Sequence, residues 1–250
     1  MTMLHAVIPM AGEGARFRAL GYDLPKPLVP LQGRPFLYWA AASLTAALPL
    51  ASLTFVVLRR HIREHAIDAV IHAFFPLARI VVLEEQLNGP VLTCLAGVAE
   101  LADGLPVLFN DCDHLFHSQA LVRWVGSGRA GAPGQGGSLI SFASADPAYS
   151  YLTESSPGQV ASTVEKQVAS RHAICGAYLF RDRSTFVAAA THYLDHCTYR
   201  EFYMSGVYNS LLGQGLAVNH LPLDLHLSFG TPEELSAVAD HALLAFYRDQ

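Results

Sequence analysis

The residues best suited to chemistry begin with Gly12-Glu13-Gly14-Ala15-Arg16, a small-residue loop directly after an apolar run. Lys26 follows ten residues later, between Pro25 and Pro27. Glycines let a backbone turn closely, so its N–H groups can face phosphate oxygens. Arg16 and Lys26 add the positive charge that a polyphosphate needs. A dinucleotide-binding loop would carry a third glycine, and a P-loop would end in Gly-Lys-Ser/Thr, so this spacing is neither.

A second group, Asp111-x-Asp113, follows the apolar stretch Pro106–Phe109. Carboxylates at the C-terminal end of a strand suit Mg²⁺, which takes one or two of them and leaves its other positions to phosphates and water. Aspartates also favour turns, which is the plainer explanation. The third group is Glu165-Lys166, for which an exposed ion pair with another residue is the alternative. Only Lys26 and Lys166 are lysines among the 16 Lys and Arg residues. A site that needs a compact ammonium cannot accept arginine, whereas codon bias would explain the scarcity without function. The pairs His61/His65 and His192/His196 have i, i+4 spacing, but Ile62 and Tyr193 stand where a zinc protease needs glutamate. His114 and His117, which flank the aspartates, are the better metal candidates. Solvated helix faces account for most of the twelve histidines.

These groups need elements to hold them. Leu4–Met10 reads as a buried strand, and the proline-rich Leu24–Pro30 cannot be helical. Strands are expected at Leu53–Leu58, Arg79–Leu83 and Pro106–Phe109. Helices are expected at Phe36–Leu48, Ile62–Phe75 and Val91–Leu101. That alternation marks a largely parallel sheet with helices on both faces. Gly126–Gly137 has the composition of a mobile loop. After it come strands at Ser138–Ala143, Gln159–Glu165 and Ile174–Phe180 with no helices between the last two, an antiparallel addition. Helices near Ser184–Leu194 and Tyr203–Leu212 and a strand at Leu216–Leu221 follow. Thr231, Pro232 and Glu234 form a capping-box start for a last helix.

In order along the chain, IPMAGEGARF, LPKPLVPLQGRPFLYW, Gly89-Pro90, Cys112-Asp113-His114, Val164-Glu165-Lys166, Gly176-Ala177-Tyr178-Leu179-Phe180 and Phe229-Gly230-Thr231-Pro232-Glu233 stand in one sequence. Together they resemble the nucleotidylyltransferases that activate sugar 1-phosphates and related phosphomonoesters. Glu201-Phe202-Tyr203 with Val207-Tyr208-Asn209 is similar to a branch found in capsule and surface-glycan clusters. The resemblance implies a single Rossmann-like α/β domain over 1–250, of the nucleotide-diphospho-sugar transferase type. Its mixed, mainly parallel sheet would be flanked by helices and carry a late antiparallel extension. The nucleotide part would occupy about 1–125 and the acceptor part about 138–250.

The resemblance also implies roles. Ala11, Gly12, Glu13, Gly14, Lys26, Gln86 and Gly89 would bind the nucleotide. Arg16, Lys26, Asp113 and Lys166 would be catalytic. Tyr151, Glu165, Lys166, Gly176 and Asn209 would bind the acceptor, with Tyr149 beside Tyr151. Asp113, helped by Asp111, would hold Mg²⁺. Many members carry a second metal aspartate two residues before the glycine of G-T-P-E; Ser228 stands there, with Asp224 nearby out of register. The implied reaction joins an NTP to a phosphorylated small molecule and releases pyrophosphate, for surface polysaccharide synthesis. A cytidylyltransferase acting on a non-sugar phosphate, a glycosyltransferase of the same fold and a non-catalytic nucleotide-binding protein remain alternatives. A homo-oligomer is compatible with all of them.

Composition agrees with that class. The 52% apolar fraction excludes disorder, and a net charge of −5 excludes coating nucleic acid by bulk charge while leaving room for a local cationic pocket. Cysteines at 94, 112, 175 and 197 include no C-x-x-C pair, so reduced thiols are expected. No apolar run is long enough to span a membrane. The N-terminus lacks a basic region before its apolar run, so a cytoplasmic location without membrane contact is expected.

Overall fold

The computed structural model describes residues 2–248. Its strands are β1 (Leu4–Pro9), β2 (Pro30–Leu31), β3 (Arg34–Pro35), β4 (Leu50–Leu58), β5 (Arg79–Leu83), β6 (Val107–Asn110), β7 (His114–His117), β8 (Gln135–Ala143), β9 (Tyr151–Ser156), β10 (Gln159–Val164), β11 (His172–Phe180), β12 (Ala217–Pro222) and β13 (Leu225–Ser228). Its α-helices are α1 (Ala15–Arg18), α2 (Phe36–Thr45), α3 (Arg59–His65), α4 (Ile67–Phe74), α5 (Pro90–Val98), α6 (Gln119–Gly126), α7 (Arg183–His196), α8 (Met204–Gly213), α9 (Pro232–Val238) and α10 (Leu243–Arg248).

A nine-stranded sheet runs β5-β4-β1-β6-β11-β8-β12-β10-β9 through both halves of the chain. The strands β5, β4, β1 and β6 are parallel, with Val7 of β1 opposite Thr54 on one side and Phe109 on the other. From β6 onward the sheet is mixed: β11 is antiparallel to β6 and β8, β12 is parallel to β8, and β10 is antiparallel to β9. The expected parallel half with a late antiparallel addition is therefore what forms.

Side chains alternate faces along β1, which explains its unbroken apolar run: both faces are covered. Ala6 and Ile8 join the layer formed by Leu37, Ala40, Ala41 and Leu44 of α2. Val7 joins the opposite layer with Val91 and Val98 of α5, Phe186 of α7 and Val207 of α8. A third cluster anchors the motifs to one another. Phe36 packs against Phe17 at 5.5 Å and against Phe229 at 4.6 Å between ring centroids, and Leu244 and Tyr247 of α10 close it.

The structure corrects two local expectations and adds elements for which there was none. The helix expected at Ile62–Phe75 is two, because Ala66 takes a left-handed conformation (φ 49°) between α3 and α4. The glycine-rich stretch is not one mobile loop: β8 starts at Gln135, and Gly137 pairs with Phe180 inside the sheet. The short antiparallel pair β7–β13 and the strand β9 carried no expectation. The capping box of α9 is present: Glu234 N–H donates to Thr231 Oγ1 at 3.2 Å, and Thr231 N–H donates to Glu234 Oε2 at 3.0 Å.

Thr231→Ala removes that reciprocal cap and should lower stability by about 1 kcal/mol. Urea unfolding checks this; an unchanged midpoint would mean that packing alone fixes α9.

Candidate active site

A crevice opens beyond the C-terminal ends of β1 and β6, where open parallel sheets place their ligands. The chain leaves β1 at Pro9 and turns through residues 10–14 into α1. Gly14 holds a left-handed conformation (φ 61°), and a Cβ there would lie 2.9 Å from Lys26 Cβ. Pro25 holds an extended backbone ahead of a 3₁₀ turn over Lys26–Leu28, and Pro27 and Leu28 are buried. The glycine loop thus rests directly on the lysine turn, and the two motifs act as one unit.

Lys26 Nζ pairs with Asp113 Oδ2 across the crevice. Burial works hardest against the ammonium, but the charge and hydrogen bond of Asp113, with the neighbouring Cys112 and Asp111, together outweigh it and hold the Lys26 pKa above its ordinary value. The same balance acts on Asp113, where burial opposes ionisation and Lys26 keeps the carboxyl below its ordinary value. Asp113 sits in the turn between β6 and β7, and its carbonyl accepts a hydrogen bond from Phe229 N–H at 2.9 Å. Gly230 lies against the carboxylate so closely that a Cβ would come within 2.5 Å of Oδ2.

Asp111 is placed by β11. Its N–H donates to the Gly176 carbonyl at 2.9 Å, where the register of β11 shifts. Gly176 has φ 92°, and a Cβ there would lie 2.7 Å from Asp111 Oδ2. The Asp111 carboxylate makes no hydrogen bond or ion pair among the described residues. Burial first, and then the charge of Asp113, push its pKa up. Two hard carboxylates, one of them short of counter-charge, fit the donor set of Mg²⁺.

Asp111 borders three adjoining depressions. One, beneath the glycine loop, is lined by Gly12, Gly14, Arg16 and Lys26. A second lies between that loop and the start of α5, with Ala11, Gln86, Gly89, Thr93 and Glu201. Val91 N–H donates to the Phe202 carbonyl at 3.2 Å there, joining the Gly-Pro turn to the segment before α8. The third is a cavity of about 440 Å³. On its wall, Glu165 Oε2 accepts from the hydroxyls of Ser150 and of Ser205, the latter at 2.7 Å. Tyr149 donates its hydroxyl to Glu234 Oε1 at 2.8 Å. His114 and His226 face each other at 5.3 Å between ring centroids. Burial, with the neighbouring His226, pushes His114 down to about 3, and burial takes His226 to about 4.

Most of the residues singled out from sequence thus meet on one continuous crevice: Ala11, Gly12, Gly14, Arg16, Lys26, Gln86, Gly89, Asp111, Asp113, Glu165 and Gly176. Others are placed elsewhere. Glu13 turns away from the crevice and pairs with Arg60 and with Arg18, the latter at 2.6 Å. Tyr151 is fully buried and donates its hydroxyl to the Asp146 carbonyl at 2.8 Å, so Tyr149 alone of the two lines the cavity. Asn209 lies on the far side of β10. Its amide donates to the Thr163 carbonyl and accepts from Thr163 N–H, both at 2.9 Å, which makes it a clamp between α8 and β10. The strand β10 ends at Val164, one residue short of the expected Glu165, so Glu165 and Lys166 follow the strand. Lys166 is exposed, with φ 51°, and donates at 2.9 Å to the hydroxyl of Tyr203, which lines the cavity. Asp224 accepts from Gln119 N–H at 2.6 Å and does not replace Ser228, which lies on the cavity wall. Sequence reasoning missed Ser150, Ser205 and His226 and read Glu234 only as a cap. Isolated serines and a histidine in a short strand carry no pattern that could have pointed to them.

Residues 6–146 match the family of MobA-like NTP transferase domains. No protein of curated function matches the chain in sequence. Solved structures share its fold. A nucleoside-diphosphate-sugar pyrophosphorylase from Vibrio cholerae RC9 superposes with a TM-score of 0.80 at 20% identity, over 94% of this chain and 99% of that one. The inositol-1-phosphate CTP transferase from T. maritima gives 0.77 at 13% identity, over 100% and 98%. A UDP-glucose pyrophosphorylase complexed with UDP-glucose gives 0.71 at 16% identity, over the whole of both chains.

Two comparisons check the placements. Gly14→Ala forces a methyl group against Lys26 and should weaken NTP binding by about tenfold or more, whereas Gly12→Ala, with open space around it, should stay within about threefold. Equal losses, read by equilibrium NTP binding, would contradict the loop-on-lysine arrangement. Asn209→Ala should cost about 1–3 kcal/mol of stability in denaturant unfolding and leave the acceptor KM unchanged. A raised KM in a fully stable variant would return Asn209 to the site.

Proposed function

The chain belongs to the family of MobA-like NTP transferase domains, and from that premise we propose that this nucleotidyltransferase joins an NTP to a sugar 1-phosphate or related phosphomonoester and releases pyrophosphate. The observation that carries the reading is the Lys26–Asp113 pair, seated under the glycine loop and facing a separate polar cavity. The nucleotide base enters between Ala11 and Gly89, and its phosphates cross the glycine loop. The cavity behind Asp111 receives the acceptor.

An oxygen of the acceptor phosphate attacks the α-phosphorus in line, the bond to the β-phosphate breaks, and pyrophosphate leaves with its electron pair. The attacking oxygen is ionised near neutral pH, so no side chain has to remove a proton. Catalysis then consists of positioning and charge neutralisation. Lys26 holds the α-phosphate and Arg16 the departing β- and γ-phosphates. Lys166, held on Tyr203 at the cavity wall, supplies an ammonium to the incoming phosphate. Glu165, fixed by Ser150 and Ser205, accepts hydrogen bonds from the acceptor. Asp111 and Asp113 would hold Mg²⁺, which supplies charge neutralisation to the transferring phosphates when bound.

The division of labour between residues 1–125 and 138–250 belongs to the same reading. So do a cytoplasmic location and a product destined for surface polysaccharide, the latter resting on the segment Glu201–Asn209. Among the described residues no helix is long and apolar enough to cross a membrane.

A panel of the four NTPs against phosphorylated acceptors, followed by pyrophosphate release, tests the reading. Activity should vanish with excess chelator and return with Mg²⁺. Lys26→Ala should lower NTP use by about 10- to 150-fold, the worth of a contact to a charged oxygen. A chain that cleaved nucleotide sugars and released no pyrophosphate would instead be a glycosyltransferase.

A further inference from the structure

The wall of the acceptor cavity carries Asp146, Glu165, Glu233 and Glu234 in addition to the Asp111–Asp113 pair. Arg16 is the one lysine or arginine side chain on that wall. A phosphomonoester arrives with up to two negative charges. If the rest of it were neutral, these four carboxylates would outnumber the cations at hand, Arg16 on the wall and Lys166 on Tyr203, both of which are committed to phosphates on the reading above, and like charges in a partly desolvated cavity repel.

A second observation concerns hydrogen bonding. His114 is 2% exposed, lies on the cavity wall, and neither of its ring nitrogens makes a well-formed hydrogen bond. Nε2 of His226 beside it is also unpartnered. Glu165 spends Oε2 on Ser150 and Ser205, and its other oxygen makes no hydrogen bond among the described residues. A buried ring nitrogen left open in this way is costly unless a ligand donor meets it, and the free oxygen of half-buried Glu165 is available to the same donor.

We propose that the acceptor, on the reading of the function given above, is a zwitterionic phosphomonoester whose far end carries an N–H-bearing ammonium group seated among Glu165, Asp146 and His114. Its phosphate points toward Lys166 and the α-phosphorus of the nucleotide, and its ammonium toward the acidic wall, so the two ends can bind in only one order. A quaternary ammonium would match the charge but leave the open acceptors without a donor. The rings of Tyr149 and Tyr178 on the same wall add faces that favour a cation.

The test takes the best acceptor from the NTP panel and compares it with its N-acetylated, deaminated and trimethylated analogues, by kcat/KM from pyrophosphate release. The best acceptor should carry a free amino group, and each analogue should lose about tenfold or more. A best acceptor with no charge beyond its phosphate, or an analogue used equally well, overturns the proposal while Mg²⁺-dependent pyrophosphate release keeps the functional reading intact. Absence of pyrophosphate release from every acceptor overturns that reading and this proposal with it. Glu165→Gln should raise the KM of the amino acceptor by about tenfold, leave that of the N-acetyl analogue within about twofold, and leave NTP binding unchanged. Asp146→Asn, on an exposed loop, gives the same comparison if Glu165→Gln does not fold. Equal KM increases for both acceptors would assign Glu165 to structure alone.

Discussion

The ion pair between Lys26 and Asp113 is the constraint on which the site depends. Its partners are 87 residues apart in sequence, and their side chains are 23% and 25% exposed. Each carries several contacts with it. Lys26 supports Gly14, whose turn shapes the loop. Asp113 holds Phe229 through its carbonyl and faces Gly230 through its carboxylate. Removing either partner leaves an uncompensated charge in a largely desolvated place, which is far more disruptive than the modest net worth of the intact pair. The pair also readies the crevice for triphosphate, because an ammonium already stripped of water loses little when a phosphate oxygen joins it.

Charge is segregated across this pair. On the loop side Arg16 and Lys26 face space suited to a triphosphate, and Glu13 is drawn off by Arg18 and Arg60. On the β11 side carboxylates predominate. Asp111 stands between, borders all three depressions, and is the acid most in need of a cation. A reaction that brings two phosphorylated species together needs such a boundary, where positive charge can be added at the point of bond exchange without being wasted elsewhere.

The fold was legible where the physical signal is local. The unbroken apolar run of β1, the proline-flanked Lys26, and the capping box of α9 each announce one conformation from nearest neighbours alone. The glycine loop, the lysine and the aspartates were legible as chemistry because their residue types are hard to explain otherwise. What stayed hidden was set by tertiary pairing. Asn209 looks like a ligand-binding amide in sequence, yet β10 lies where its amide can close two backbone hydrogen bonds. Tyr149 and Tyr151 are two residues apart, but only Tyr151 lies within β9, where pairing with β11 buries it. Gly137 looks like part of a flexible tract until β11 is beside it. The strands β7 and β13 are four residues each, too short for a period to show.

The measurement that reaches the central claim most directly is the fate of oxygen in the acceptor phosphate. With ¹⁸O placed in every oxygen of that phosphate, including the one bound to carbon, ³¹P NMR of the products follows each atom. Attack on the α-phosphorus, across the Lys26–Asp113 pair, predicts that all of the label remains in the linked product, with one labelled oxygen bridging the two phosphorus atoms and none in pyrophosphate. Label in pyrophosphate, or loss of the labelled carbon–oxygen bond, would contradict the account.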